Sequence, residues 1–295
     1  MKMDLHLHTN HSSDGEFSVA QLIKKVKAAK LRVFAIADHN STEGVKEYLT
    51  HFKDEQLMII TAIEIDCVFN DTHLHVLGYG IDPYFEGFDQ LRARYFKQDL
   101  DNSALLLKKV RDLGIVVDEK QVQAISFHGV INAEMIAEVA LADARNANHA
   151  LLKPFRKGGT RSDNPYVNFY WDVCAPGKPA HVPGVYITLK AAVDLIHAAG
   201  GIAILAHPGN NVHEDESLLK SIIDHNVIGL ETYSSYHSQA QVDFYHKFAK
   251  SQDLIQTIGS DFHGKTKPAI KIGQCQSYEG DAVLFSDLIR AINRS

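Results

Sequence analysis

Two histidines stand two positions apart in MKMDLHLHTNHSSDG, at residues 6 and 8. On a strand, residues i and i+2 project from one face, so His6 and His8 can hold a single ion together. The same spacing recurs far along the chain, where GSDFHG presents Asp261 and His263. Between these two motifs, further ligand-type side chains follow short apolar runs. Asp38 and His39 follow RVFAI, Glu64 and Asp66 belong to LMIITAIEIDCVF, and His75 belongs to THLHVLGYGI. His207 follows IAILA, and Glu231 falls within VIGLETY. A lone histidine near a strand end is ordinarily just a polar residue. The joint pattern is what points to a metal cluster. Mixed imidazole and carboxylate donors suit zinc, manganese or iron better than calcium or magnesium. With no cysteine in the set, a structural zinc site of the thiolate type is not expected. Asp66 shares a face with Glu64, with a salt bridge as an equal alternative to ligation. His73 shares a face with His75, and His75, nearer the apolar VLGYG, is preferred. His11 and the helix or loop histidines are expected to be solvated.

The elements that must carry these residues alternate along the chain. The strand pattern of MDLHLHT is followed by a helix from Ser18 with Val19, Leu22, Ile23 and Val26 on one face. After Pro83 the alternation breaks. A long helix is predicted over 86–113, with helical stretches near 118–126 and 132–142 and then an irregular segment rich in Gly, Pro and basic residues. A long irregular segment of this kind has a function or belongs to a small subdomain. The β-then-α rhythm returns from TLKAAVDLIHAAGG onward and ends in the helix FSDLIRAINRS. Such alternation predicts an α/β fold on a parallel sheet, closed or nearly closed into a barrel. In such barrels the C-terminal strand ends meet at one face, which brings distant ligands together. There is no glycine-rich fingerprint after the first strand, so dinucleotide binding is disfavoured.

Composition narrows the function classes. The 295 residues are 45% hydrophobic, enough for one large domain or a domain with an insertion. A formal net charge of −6 argues against stable duplex nucleic-acid binding. The three cysteines, Cys67, Cys174 and Cys275, lie far apart, as expected in a reducing compartment. With no apolar leader and no long apolar run, a cytoplasmic setting without membrane contact is expected.

The stretches DLHLHTNHSSDG, IADHN, IEI, HLHVLGYG, LAHPG and GSDFHG together resemble the PHP (polymerase and histidinol phosphatase) family, in family order and across nearly the whole chain. The HSSDG and GKPAHVP segments are similar to the branch that includes nucleoside 3',5'-bisphosphate phosphatases, which commonly carries tyrosine at the position of His181. The resemblance implies a distorted (β/α)7 barrel formed by 1–85 and 184–295. It also implies an inserted, mainly helical subdomain over 86–183 that covers the active site. It further implies two or three divalent transition-metal ions (manganese, iron or zinc). By that analogy His6, His8, Glu64 and Asp261 hold the first ion, and Asp14, His39 and His263 the second. Glu64, His75 and His207 hold the third, with Glu64 bridging. Ser12 and Ser13 then shape the loop that returns Asp14 to the site.

The chemistry expected of such a site is metal-assisted phosphoester hydrolysis. A nucleoside 3',5'-bisphosphate or an oligonucleotide-end phosphate is the first substrate expectation. A phosphorylated or cyclic sugar phosphate follows, then histidinol phosphate. His207, if it holds no ion, and His237 are candidates for protonating the leaving group. His237 matches a family position and is also a candidate substrate contact. Arg161 and Lys178, with Arg156 and Lys157 behind them, are candidate clamps for a second phosphate. The rival class is a non-catalytic module that supports a polymerase or binds nucleic acid. The complete ligand set and the acidic charge argue against it.

Overall fold

The computed structural model describes all of residues 1–295. Eight strands form in chain order: β1 (Met3–Leu7), β2 (Val33–Ile36), β3 (Met58–Phe69), β4 (Thr72–Tyr79), β5 (Ile187–Thr188), β6 (Ile202–Leu205), β7 (Val227–Ser234) and β8 (Ile255–Gly259). Seven of them follow the order β1-β2-β3-β4-β6-β7-β8, with the two-residue β5 beside β3. β8 returns to β1 through the pairing of Leu7 with Phe262. The His8 N–H donates to the Phe262 carbonyl (3.0 Å) and the Asp261 N–H to the His6 carbonyl (2.9 Å). The sheet is therefore a nearly closed barrel, and it brings the first and last ligand motifs side by side.

The barrel is not all parallel. β1, β2 and β3 pair in parallel, as do β6, β7 and β8, but β4 runs antiparallel to both β3 and β6. The cause is local. Only Asn70 and Asp71 separate β3 from β4, and both take positive φ (46° and 63°), the two-residue hairpin geometry that asparagine and aspartate tolerate. A two-residue turn cannot return a strand in parallel. A second departure concerns where the ligands sit. Glu64 and Asp66 lie within β3 rather than at its end, because β2 pairs with β3 only over Met58–Thr61 and β3 runs on beyond it. Glu231 likewise lies inside β7.

Helices α1 (Val19–Ala28) and α2 (Glu43–Glu47) follow the first two strands. Ser18 and Gln21 form a capping box at the start of α1, and the predicted apolar face of Val19, Leu22, Ile23 and Val26 is buried. The segment after β4 carries α3 (Glu86–Asp112), α4 (Glu119–Ala124), α5 (Ala133–Ala142) and α6 (Pro165–Phe169). It has its own apolar cluster, including Val110, Ile136, Leu152 and Phe169. The stretch read as irregular contributes Phe155, Val173, Cys174 and Ala180 to that cluster, so it is packed structure despite its loop-like composition. α3 joins the two parts. Its first half places Phe88, Leu91 and Tyr95 in the barrel-side core, and its second half places Leu107 and Val110 in the other. The chain closes with α7 (Leu189–Ala198), α8 (Pro208–Asn211), α9 (Glu216–Ile223), α10 (Gln239–Ser251) and α11 (Asp281–Ile292). α11 begins earlier than its apolar pattern suggested, and an Asp281 carboxylate oxygen there accepts the Met3 N–H (2.9 Å). No helix is long and apolar enough to cross a membrane.

The closing seam between β8 and β1 is tight. A Cβ added at Gly259 would stand 2.2 Å from Glu231 Oε1 and 2.3 Å from the His6 Cβ. Gly259→Ala should therefore overpack the barrel interior and cost about 1–3 kcal/mol. Urea unfolding reads this directly, and an unchanged midpoint would contradict so close an approach.

Candidate metal centre and its cavity

Four buried side chains converge where β1, β3 and the segment after β8 meet. His6 Nε2 lies 3.1 Å from Glu64 Oε2 and 3.3 Å from Asp261 Oδ1. His8 Nε2 lies 3.0 Å from Asp261 Oδ1 and 3.3 Å from Glu64 Oε2. None of these four atoms has a hydrogen-bond partner in the protein.

The remaining atoms of these rings are committed elsewhere, which fixes what the facing atoms offer. His6 Nδ1 lies 2.9 Å from Glu231 Oε1. An ionised carboxylate only accepts, so the ring proton sits on Nδ1 and Nε2 presents a lone pair. The Ser12 hydroxyl donates to Asp38 Oδ1 (3.1 Å) and accepts from the His39 N–H (2.9 Å). It is then an acceptor toward His8 Nδ1 at 3.2 Å, which again leaves the Nε2 lone pair free. Two imidazole lone pairs and two carboxylate oxygens facing one another in a buried space repel unless a cation lies among them. The donor chemistry and the orphaned atoms both fit a transition-metal ion.

Two further groups adjoin this one through shared residues. His8, Asp14, His39 and His263 form a second set whose donor atoms lie within 4.8 Å of one another. His263 Nε2 is 3.1 Å from Asp14 Oδ2, while its Nδ1 donates to the Asp261 carbonyl (2.9 Å). Burial pushes the His263 ring down to about 4, which keeps it neutral and able to donate a lone pair. On the other side of Glu64, Oε1 lies 3.0 Å from both His75 Nδ1 and His207 Nε2. Burial opposes charge on Glu64, but His6, His39 and His75 outweigh it and hold the carboxyl well below the usual range. The structure thus brings together His6, His8, Asp14, His39, Glu64, His75, His207, Asp261 and His263.

Several residues hold these groups in place, and for Glu231 and Asp38, which stand out in the sequence as ligand-type side chains, the structure shows a supporting role instead. Glu231 spans two ligand candidates, since Oε1 meets the His6 ring and Oε2 accepts the His207 N–H (2.9 Å). His207 itself has φ of 22° and Asp261 has φ of 56°, conformations that side-chain-bearing residues adopt only when held. Asp38, fully buried beside His39, is not turned to the cluster. It accepts from the Thr9 N–H (2.6 Å), the Thr9 hydroxyl (2.7 Å) and Ser12, and so fixes the loop after β1. Asp4 accepts the backbone N–H groups of Ser260 (2.8 Å) and Gly273 (2.7 Å). Asp66 Oδ1 lies 3.1 Å from His75 Nε2, and the Asn40 side chain donates to Asp66 Oδ2 (2.6 Å). His73 joins Asp66 and His75 in a fourth group of candidate donors. On Asp261, Lys267 Nζ and the Tyr236 hydroxyl both donate to Oδ2 at 2.6 Å, which leaves Oδ1 for the cluster.

A cavity of about 590 Å³ opens above Asp14, His39, Asp66 and His75. Its upper walls come from α3 and the segment beyond it, with Tyr95, Phe96, Phe127, Tyr170, Trp171 and Tyr186 among the lining side chains. Its Lys and Arg residues are Arg92 and Lys267. The cations expected here are elsewhere. Arg161 is paired with Asp172 (2.9 and 3.1 Å), Lys178 is exposed, and neither lines the cavity. Arg156 donates to the Leu141 and Asn146 carbonyls (2.9 and 3.0 Å). His237 is also away from the lining. Its Nδ1 donates to the Thr232 carbonyl (2.9 Å) and its Nε2 accepts the Gly209 N–H (3.0 Å), so both nitrogens are used in holding α8 to β7. Burial lowers its pKa further, and the geometry leaves it no proton to give a substrate.

A family model described as PHP domain matches residues 4–152. The 5'-3' exoribonuclease of Haemophilus influenzae is 28% identical over 266 residues, covering 89% of this chain and 90% of that protein. The 3',5'-nucleoside bisphosphate phosphatase of Chromobacterium violaceum is 26% identical over 284 residues, covering 93% and 91%. A solved structure from Bifidobacterium adolescentis shares the fold, with a TM-score of 0.76 at 23% identity over 98% of this chain and 95% of that one.

The Glu231 contacts generate a prediction. Glu231→Gln keeps the shape but cannot accept from both the His6 ring and the His207 N–H. Loss of such a carboxylate–histidine partner should weaken metal affinity about 10- to 100-fold. A chelator-competition titration with manganese measures this, and wild-type affinity would mean that Glu231 does not set the His6 tautomer.

Proposed function

The chain belongs to the PHP domain family and is a phosphoric ester hydrolase of that type; on this premise we propose that it cleaves a phosphate from a nucleoside 3',5'-bisphosphate or from the end of a short oligonucleotide. The observation that carries the reading is the set of orphaned lone pairs on His6 Nε2, His8 Nε2, Glu64 Oε2 and Asp261 Oδ1. His6, His8, Glu64 and Asp261 would hold one divalent ion, and Asp14, His39 and His263 a second. Glu64, His75 and His207 would hold a third. Ions so held lower the pKa of water toward neutrality and neutralise phosphate oxygens.

The chain's own residues do the rest. Glu231, Ser12 and Asp38 keep the ring tautomers and the loop after β1 in register. The bridging position of Glu64 sets the spacing between neighbouring donor groups. The aromatic wall of the cavity supports a nucleotide over a smaller ester, because a base can stack on such faces without sequence preference. The cavity volume falls within the range of small-ligand sites. Of the cations on the lining, Arg92 stands on α3, away from the cluster-bound Lys267, and is the one that would meet a second phosphate.

Phosphate release with added manganese, screened across nucleoside bisphosphates, cyclic sugar phosphates and histidinol phosphate, is expected to be fastest on the bisphosphates. Activity confined to histidinol phosphate would overturn the substrate assignment. Asp261→Ala, which removes an oxygen shared with His6 and His8, should lower kcat by at least about a thousandfold, as should exhaustive chelation of the wild type. Full turnover in either case would refute the metal-dependent reading.

A further inference from the structure

Lys267 is unusual among the basic residues of this chain. Its side chain is only 9% exposed, yet it lines the cavity beside Asp14 and His39. Its position is fixed by the loop that follows His263. Gly264 turns the chain with φ of 83°, and the Thr266 hydroxyl donates to the Asp14 carbonyl (2.7 Å). The Lys267 N–H donates to the Gly264 carbonyl (3.1 Å), and its own carbonyl accepts the Ile270 N–H (3.0 Å). The ammonium then stands 5.4 Å from the Tyr236 ring centroid and donates to Asp261 Oδ2 at 2.6 Å.

An ammonium has three N–H donors, and one is accounted for. A buried charge with unmet donors is costly unless an acceptor reaches it. The open side of Lys267 is the cavity, and the groups that share that side are the candidate ligands. We propose that the remaining donors of Lys267 bind a non-bridging oxygen of the phosphoryl group under attack, so that Lys267 is a catalytic residue. The proposal rests on the phosphoesterase reading above and adds to it the contact that holds the phosphoryl group. It also accounts for a feature of the cavity, whose floor carries the carboxylates of Asp14 and Asp66 next to the incoming dianion. A fixed positive charge at that point offsets their repulsion and orients the phosphorus for in-line attack. The hydrolysis needs no further reactant. A water oxygen bonds to phosphorus, the bond to the ester oxygen breaks, and the departing alcohol takes a proton from that water. Lys267 keeps its proton throughout.

The alternative is that Lys267 only orients Asp261, as Tyr236 does from outside the lining. The experiment that separates them is binding of inorganic phosphate to the manganese-loaded full chain by calorimetry, with metal content per chain measured on the same samples. In Lys267→Met, phosphate affinity per loaded chain is expected to fall about tenfold or more, the loss of a charged hydrogen bond. Lys267→Gln should fall in the same direction and serves if the methionine variant folds poorly. Tyr236→Phe removes the other donor to Asp261 Oδ2 and should leave phosphate affinity per loaded chain within about twofold, well short of a lost charged hydrogen bond. Unchanged phosphate affinity in the Lys267 variants, or a fall only in proportion to lost metal, would overturn the proposal. So would a wild-type chain that binds no phosphate. A wild type that binds phosphate in a Lys267-dependent way but releases none from any ester would instead defeat the functional reading and leave the contact standing.

Discussion

Glu64 is fully buried, and a carboxylate taken out of water must be met by positive charge. Its Oε2 faces His6, His8 and His39, and its Oε1 faces His75 and His207. Glu231 and Ser12 take the Nδ1 side of the His6 and His8 rings, which leaves both Nε2 atoms turned toward Glu64 and Asp261. A cation between Glu64 and its neighbours meets that charge. Burial opposes charge on His6, His39 and His75, but the carboxylates facing them outweigh it and raise all three, so protons and metal ions compete for these rings, while burial pushes His263 down to about 4. Divalent ions meet the requirement for all the donors at once.

The fold is built around that demand. Closing β8 against β1 sets Asp261 and His263 beside His6 and His8, and Asp4 ties the seam by accepting from Ser260 and Gly273. The hairpin at Asn70 and Asp71 reverses β4, and the register then pairs Asp66 with His75. That reversal puts His75 on the open side of Glu64, where a parallel strand would have had to reach it through another crossover. α3 belongs to both apolar cores, so the segment that supplies the aromatic wall is packed onto the barrel through this helix. The same helix contributes Arg92 to the cavity lining.

Most ligand candidates are legible in the sequence because they lie on or just beyond a strand, where spacing decides which face they join; Asp14, in the loop after β1, comes only from the resemblance. His6 with His8, and Asp261 with His263, follow from i, i+2 geometry alone. The barrel follows from the alternation of elements, but the antiparallel sense of β4 is set by Asn70 and Asp71, the two residues between two neighbouring strand patterns. The supporting shell was legible only in part: Asp38 and Glu231 stand out as ligand-type side chains and Ser12 as a loop former, but the contacts through which they act do not. Asp4, Ser12, Asp38 and Glu231 act through partners as far as 269 positions away, which spacing along the chain does not reveal. The cavity walls were misread for a related reason. Arg161 and Lys178 stand out by their basic character, while the side chains that line the upper walls come from α3, residues 127–134 and residues 167–186, where nothing in the local pattern shows which are turned inward. Lys267, in GKTKP, looks like an ordinary exposed loop lysine until the loop is folded.

The most direct test of this account is an anomalous difference map from crystals soaked in manganese and recorded above the manganese edge. It predicts one peak among His6, His8, Glu64 and Asp261, and a second among Asp14, His39 and His263 that shares the Glu64 side of the cavity. A map with no peak at the first position, or with manganese bound only at Asp66, His73 and His75, would contradict the claim that Glu64 is buried to organise metal ions.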